Sequence, residues 1–297
     1  MITDLLPTRI RAAIAAVSHP TTIDGAHWTN AMIVTGVCFL TIALFHRTVG
    51  VRFKKQYFAC HVFANAIITY CVFEHSVTAL VHPQVSTAPR VGGDATSQMF
   101  MCWCLAIHVY HPIFFRTGAM DWIHHVPVYI LNTLMMCCLS GEVFCLQACI
   151  MTGIPGGIDY LLLVLEGEKL MSRASYKSLS AYINNWFRAP LGFISGYTCL
   201  VGLVHQWDQS NITVFQKIVF ALMGIHGMWN PPFFGRQTIE ANIVDIVNRF
   251  DLHGSSTDRK KAVSLGKVRA LSGRSRAGNL SVELEAHRTS DDAKKKE

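Results

Sequence analysis

The chain is poor in charge. Of 297 residues, 26 are Lys or Arg and 19 are Asp or Glu, so only 15% are charged, against roughly 25% in a typical soluble domain. The deficit is uneven: residues 236–297 hold 13 basic and 9 acidic side chains, leaving 13 and 10 for the first 235. A soluble fold of that size could not cover its surface with so few charges, and the net charge of +7 belongs mostly to the tail. Water-soluble globular folds and nucleic-acid binders are therefore poor readings. A disulfide framework is missing as well. The ten cysteines, among them Cys38, Cys102, Cys137, Cys138 and Cys199, all fall in apolar stretches, where a free thiol packs as a small hydrophobe. Their Cys-x-Cys and Cys-Cys pairs lack the paired spacing of a zinc site. No charged n-region, apolar core and cleavage site stand in order before the first apolar run, so no removable signal peptide is expected.

What the chain has instead is long apolar runs. Windows of about 20 residues give seven: Trp28–His46, Tyr57–Leu80, Met99–Phe115, Ile123–Leu139, Val143–Leu165, Trp186–Gln206 and Thr213–Phe234. The fold class is all-α, a polytopic transmembrane helical bundle of about seven spans over residues 28–236. Residues 1–27 precede it as an N-terminal segment in which Leu5–Val17 reads as an interfacial amphipathic turn or as a loosely packed end. Residues 237–297 follow as a basic tail, rich in Ser, Arg, Lys and Gly, and largely disordered beyond about Phe250.

Orientation follows from the Lys/Arg bias of short loops. One side receives Arg47, Arg52, Lys54, Lys55, Arg116, Lys169, Arg173, Lys177 and Arg188; the other receives Arg9, Arg11, Arg90 and Lys217. The richer side is assigned to the cytosol, which places the tail there too. The sequon Asn211-Ile212-Thr213 then lies on the lumenal side, too close to the bilayer to be used, and Asn279-Leu280-Ser281 stays bare in the cytosol. The terminal Lys294-Lys295-Lys296-Glu297 reads either as an endoplasmic-reticulum retrieval signal, bound by retrieval machinery, or as a solvated tail. Ser272 in Arg269-Ala270-Leu271-Ser272 is a weak phosphorylation string.

Ionisable groups inside a bilayer are costly and mark sites. At about 1.5 Å of rise per residue, His61, Asn65, His108, His111, Asp121, His124, His125, Asp159, Asn184, Asn185, Arg188, His226 and Asn230 all fall in the cytosolic half, whereas the lumenal half has only Glu74, His75 and His205. Any one of them serves as an interhelical hydrogen-bonding group; together they are expected to surround a polar chamber open to the cytosol. The run Gly153-Ile154-Pro155-Gly156-Gly157 breaks the fifth span. It either aims Asp159 into the chamber or forms a packing kink. Asp159 needs a partner such as His124, His125 or Arg188, or a proton.

Several chemistries are absent. His108-x-x-His111 and His124-His125 fall short of the histidine boxes of a membrane di-iron oxygenase. No second span repeats the spacing of His61 and His75, as a bis-histidine haem site requires, and no G-x-S-x-G elbow supports hydrolysis. No metal and no resident cofactor is expected.

Asp121-Trp122-Ile123-His124-His125 opens a span with an acidic residue and a double histidine, in a bundle with a polar segment before its last pair. With His108-Val109-Tyr110-His111 and Asn185-Trp186-Phe187-Arg188, this resembles the TLC-domain family of ceramide synthases and translocating-chain-associating membrane proteins, over about Lys54–Gln237. The resemblance implies that His124 or His125 serves as general base or transient acyl acceptor in acyl transfer from acyl-CoA to a sphingoid amine, with acyl-CoA as co-substrate. The chain departs from the family at Asn132 and Cys138, where those enzymes carry Asp, and Asp159 is the carboxylate left to substitute in space.

Three functions stay open. The first is a cytosol-facing cavity, lined by the polar set above, that binds or handles membrane lipid in an endomembrane. The second is N-acyl transfer to a long-chain amine, and the third is a scaffold without lipid ligand. Membrane lipids are the expected partners, with homo-oligomerisation left open.

Overall fold

A computed structural model describes residues 7–18, 25–87, 98–136, 141–208 and 212–251. Among these residues the regular structure is entirely helical. In chain order the helices are α1 (Thr8–Ser18), α2 (Gly25–Thr48), α3 (Gln56–Val81), α4 (Met99–Phe114) and α5 (Ala119–Met136). They continue with α6 (Glu142–Ala148), α7 (Ile154–Gly167), α8 (Arg173–Ile183), α9 (Ala189–His205) and α10 (Val214–Asp251). The π turn Cys149–Gly153 joins α6 to α7, and the π turn Asn184–Arg188 joins α8 to α9. Four helical stretches are long and apolar enough to cross a membrane, namely His27–Arg52, Gln56–Val81, Glu142–Gly167 and Arg173–His205. Helix α4 is equally apolar but shorter. Leu40, Tyr70 and Val204, at 67%, 87% and 73% exposure, lie on the outside of the bundle, as lipid-facing side chains do.

The helical stretches α2, α3, α4, α5, α6–α7, α8–α9 and α10 alternate in direction, α6–α7 and α8–α9 each running on through a π turn. At one end, His46 Nε2 lies 2.9 Å from Gln56 Oε1, Lys55 Nζ pairs with Glu166 at 2.5 Å and the Lys54 backbone N–H donates to Glu168 Oε1 at 2.6 Å. We call this the basic end, because Arg47, Arg52, Arg116 and Lys169 cluster there in the sequence. At the other end the Val143 N–H donates to the Ser86 carbonyl at 3.0 Å, and Gln206 Nε2 donates to the Gln84 carbonyl at 3.3 Å. That end is also polar: Gln98, Glu142, Gln147 and Gln206 are buried there. These side chains add to Glu74, His75 and His205, the groups that the sequence reading assigned to that side.

Close helix packing comes from small residues. A Cβ on Gly192 would stand 2.2 Å from Pro231 Cγ, and one on Gly196 would stand 2.5 Å from the Gly224 carbonyl oxygen, so α9 and α10 touch backbone to backbone. The Gly153–Gly157 break performs the same task against α3: a Cβ on Gly153 would meet Thr69 Oγ1 at 2.9 Å, and those on Gly156 and Gly157 would contact Asn65 at 3.5 and 3.4 Å. The break therefore serves packing.

Proline gives these helices their irregular hydrogen bonding. A proline has no N–H to offer the carbonyl four residues before it, and an orphaned carbonyl in an apolar interior needs another donor. Pro155 leaves the Met151 carbonyl free, and Arg188 Nη2 donates to it at 2.8 Å. Pro112 leaves the His108 carbonyl free, and the Tyr129 hydroxyl donates to it at 2.7 Å.

Both ends of the described bundle are held by specific contacts. Helix α1 is not loosely packed: Ala13 and Val17 are buried in the core and the Val17 carbonyl accepts from the Gln98 N–H at 3.1 Å. Helix α10 runs on past the last apolar run to Asp251, and Lys177 Nζ on α8 ties this extension down by donating to Asp245 Oδ1 at 3.1 Å and to the Ala241 carbonyl at 3.3 Å. The expectations for Asn211, Asn279, Cys137, Cys138, Ser272 and the terminal lysines fall outside the described residues.

Candidate functional site

Four imidazoles converge inside the basic half of the bundle. His61 on α3, His108 and His111 on α4 and His125 on α5 are each at most 3% exposed. Helix periodicity explains the set: His108 and His111 are three residues apart and share a face of α4, and the antiparallel α5 brings His125 against that face. Ring centroids are 4.7 Å apart for His111 and His125, 5.1 Å for His108 and His125, and 6.0 Å for His61 and His108. Tyr57 and Tyr160 close the group, with Tyr57 3.9 Å from His111 and Tyr160 4.5 Å from His61, centroid to centroid.

The hydrogen bonds have a direction. The Tyr129 hydroxyl has one proton and gives it to the proline-freed His108 carbonyl, so at His125, 3.3 Å away, it can only accept. A neutral His125 then donates from Nδ1, which makes its Nε2 the acceptor for His111 Nδ1–H at 3.0 Å. The remaining nitrogen, His111 Nε2, keeps its lone pair. His108 is fixed separately, its Nδ1–H donating to the Cys104 carbonyl at 2.7 Å.

His111 also lines a half-open recess of about 450 Å³ at the basic end of the bundle. Tyr57, Phe58, Phe115 and Tyr160 supply apolar wall, and Arg116 and Asp121 supply charge. Asp121 begins α5, where its Oδ2 accepts from the Gly118 N–H at 2.7 Å. The volume falls within the range of small-molecule sites.

The other expected site residues lie elsewhere. Among the described residues Asp159 pairs with no imidazole: its carboxylate accepts from Ser180 on α8, and the Arg188 guanidinium, one of the expected partners, acts on its charge. Arg188 caps Met151 and lies 3.4 Å from Asn184 Oδ1 through Nη1. Asn132 is buried and donates from Nδ2 to the Met101 carbonyl at 3.1 Å, tying α5 to α4. That bond requires an amide, since a carboxylate has no proton to give. Asn65 packs on the glycine break. His226 and Asn230 lie on α10, and both ring nitrogens of His226 are buried without a hydrogen-bond partner among the described residues. Asn185 is exposed beside a second recess, of about 390 Å³, shared with Arg236 and Glu240. His124 belongs to α5, but its side chain is outside the described set. Among the described residues no three ligating side chains are placed to hold a metal ion.

Tyr57, Tyr129 and Tyr160 were not singled out by sequence, and Arg116 was read only as a loop charge. Tyrosine counts as apolar in a hydropathy window, which hides its hydroxyl. A usable signal existed for Tyr129, since Pro112 inside a span announces that the His108 carbonyl needs an outside donor.

No protein-family model matches the chain, and no curated protein or solved structure is significantly similar to it.

Proposed function

We propose that the chain is a seven-span endomembrane protein of TLC-like architecture, with its basic end and C-terminus in the cytosol. It binds membrane lipid in the recess beside His111, in a role in lipid homeostasis, sensing or trafficking. The observation that carries this reading is the convergence of His61, His108, His111 and His125 behind a recess with mixed aromatic and charged walls. Buried polar groups in a bilayer-embedded bundle are expensive, and a recess that meets both apolar and polar surface suits an amphipathic ligand.

N-acyl transfer is the second reading, favoured by one specific observation: the hydrogen-bond direction leaves His111 Nε2 as a base on the recess. A long-chain amine would attack the thioester carbonyl of acyl-CoA, forming C–N and breaking C–S. His111 would take the amine proton and return it to the departing thiolate.

Purification in native-lipid nanodiscs, followed by mass spectrometry of retained lipid and an acyl-CoA consumption assay with and without a long-chain amine, separates the readings. Retained lipid without turnover supports the first. Turnover lost in His111→Ala, His124→Ala and His125→Ala supports the second. A bundle holding no lipid and turning over nothing leaves a scaffold. Labelling of single cysteines tests the orientation: Lys169→Cys is expected to react from the cytosol and Gln84→Cys from the lumen.

A further inference from the structure

The recess combines features that a single-charge ligand would not use. Four aromatic rings pack around it, with centroids 4.8 Å apart for Tyr57 and Phe58, 5.5 Å for Tyr57 and Phe115, and 5.7 Å for Phe58 and Tyr160. Aromatic faces attract ammonium groups, most strongly where water is excluded. Phe58 already has one near it, the Lys55 ammonium at 5.8 Å from the ring centroid, which Glu166 neutralises. Asp121 and Arg116 line the same recess with opposite charges, yet no ion pair joins them, and Arg116 pairs with no described carboxylate. Asp121 uses Oδ2 on the Gly118 N–H and keeps Oδ1 for a ligand.

We infer that this recess takes the zwitterionic headgroup of a phospholipid bearing both phosphate and ammonium, as choline and ethanolamine phospholipids do. Arg116 receives the phosphate oxygens, while Asp121 and the aromatic walls receive the ammonium. A phosphate alone would meet the Asp121 carboxylate, and an amine alone would meet the Arg116 guanidinium, so each half of the site disfavours a ligand with only one of the two charges. The inference rests on the recess being a lipid site and adds which lipid class it selects.

The test is native mass spectrometry of the full chain in detergent, titrated separately with phosphatidylcholine, phosphatidic acid of the same acyl chains, sphingosine, and soluble phosphocholine. Phosphatidylcholine is expected to bind roughly tenfold more tightly than phosphatidic acid or sphingosine, and phosphocholine to compete with it. Asp121→Asn keeps an acceptor for the Gly118 N–H and is expected to abolish the preference over phosphatidic acid. Phe58→Leu keeps apolar volume, loses the π face, and is expected to weaken phosphatidylcholine several-fold. Equal or tighter binding of phosphatidic acid or sphingosine, or a preference that survives Asp121→Asn, overturns the headgroup assignment while leaving a lipid site standing. Binding of none of the lipids overturns the lipid site itself.

Discussion

Adding one methyl group should have opposite effects at two glycines of this bundle. On α9, the Cβ of Gly196→Ala would stand 2.5 Å from the Gly224 carbonyl oxygen, 2.7 Å from Met228 Cγ and 2.9 Å from the Met228 nitrogen. Comfortable contact is about 3.5 Å, so α9 and α10 must move apart by about 1 Å, and two of the three obstructing atoms are backbone. Overpacking of this kind costs about 1–3 kcal/mol, against a gain of about 0.5–1 kcal/mol from replacing a helical glycine. The net expectation is a loss of about 0–2.5 kcal/mol, centred near 1 kcal/mol. On α2, a Cβ on Gly36 meets nothing within 4 Å, so Gly36→Ala keeps only the gain of about 0.5–1 kcal/mol. Thermal unfolding of the purified protein in detergent micelles reads both: at about 2–4 °C per kcal/mol for a domain of this size, the two variants should bracket the parent by several degrees. Gly196→Ala as stable as Gly36→Ala would refute the close α9–α10 approach.

The proline-freed carbonyls yield a double-mutant cycle. Arg188→Met leaves the Met151 carbonyl without its donor and should cost about 1–3 kcal/mol, but less when Pro155→Ala restores the local N–H; equal costs in both backgrounds would disprove the compensation. Tyr129→Phe, which removes both the donor to the His108 carbonyl and the acceptor for His125, should cost about 0.5–2 kcal/mol in the same unfolding assay, and a neutral result would dissolve the hydrogen-bond direction assigned to the histidines. Lys169, just past the Glu168 cap of α7, has φ of 63°, a left-handed position that glycine occupies without steric cost. Lys169→Gly should therefore stabilise by about 0.5–1 kcal/mol, and a lower midpoint would contradict that turn.

Much of this was legible in the chain because hydropathy is a coarse, robust signal. The described residues of all seven apolar runs are helical, and four helical stretches are long and apolar enough to cross a membrane; His61, His108, His111 and His125, which alternation of direction sorted to one depth, lie together in the structure. Helix α8 falls outside the apolar runs because its serines, Arg173 and Lys177 make it polar; its continuation into α9 through a π turn is a tertiary outcome of packing on α10. Arg188, an expected partner, does act on the charge of Asp159, but the hydroxyl that donates to it was out of reach for a different reason. A carboxylate is satisfied by a hydroxyl as well as by a cation, and Ser180 is indistinguishable in sequence from Ser175 or Ser178 of the same helix. Asp121 was read from the double-histidine segment, but its role as the α5 cap and as one wall of the recess depends on how Gly118 and Arg116 turn the chain between α4 and α5.

The central claim is that the recess at the basic end, rather than the general apolar exterior, is where lipid is held. Photo-crosslinking the protein in nanodiscs with a phospholipid carrying a diazirine near its headgroup, followed by peptide mapping, addresses this directly. The account predicts adducts on the start of α3, the α4–α5 connection and α7 around Tyr57, Phe115 and Tyr160, suppressed by excess unlabelled phosphatidylcholine. Adducts spread along exposed positions such as Leu40, Tyr70 and Val204, with no competable cluster at the recess, would contradict it.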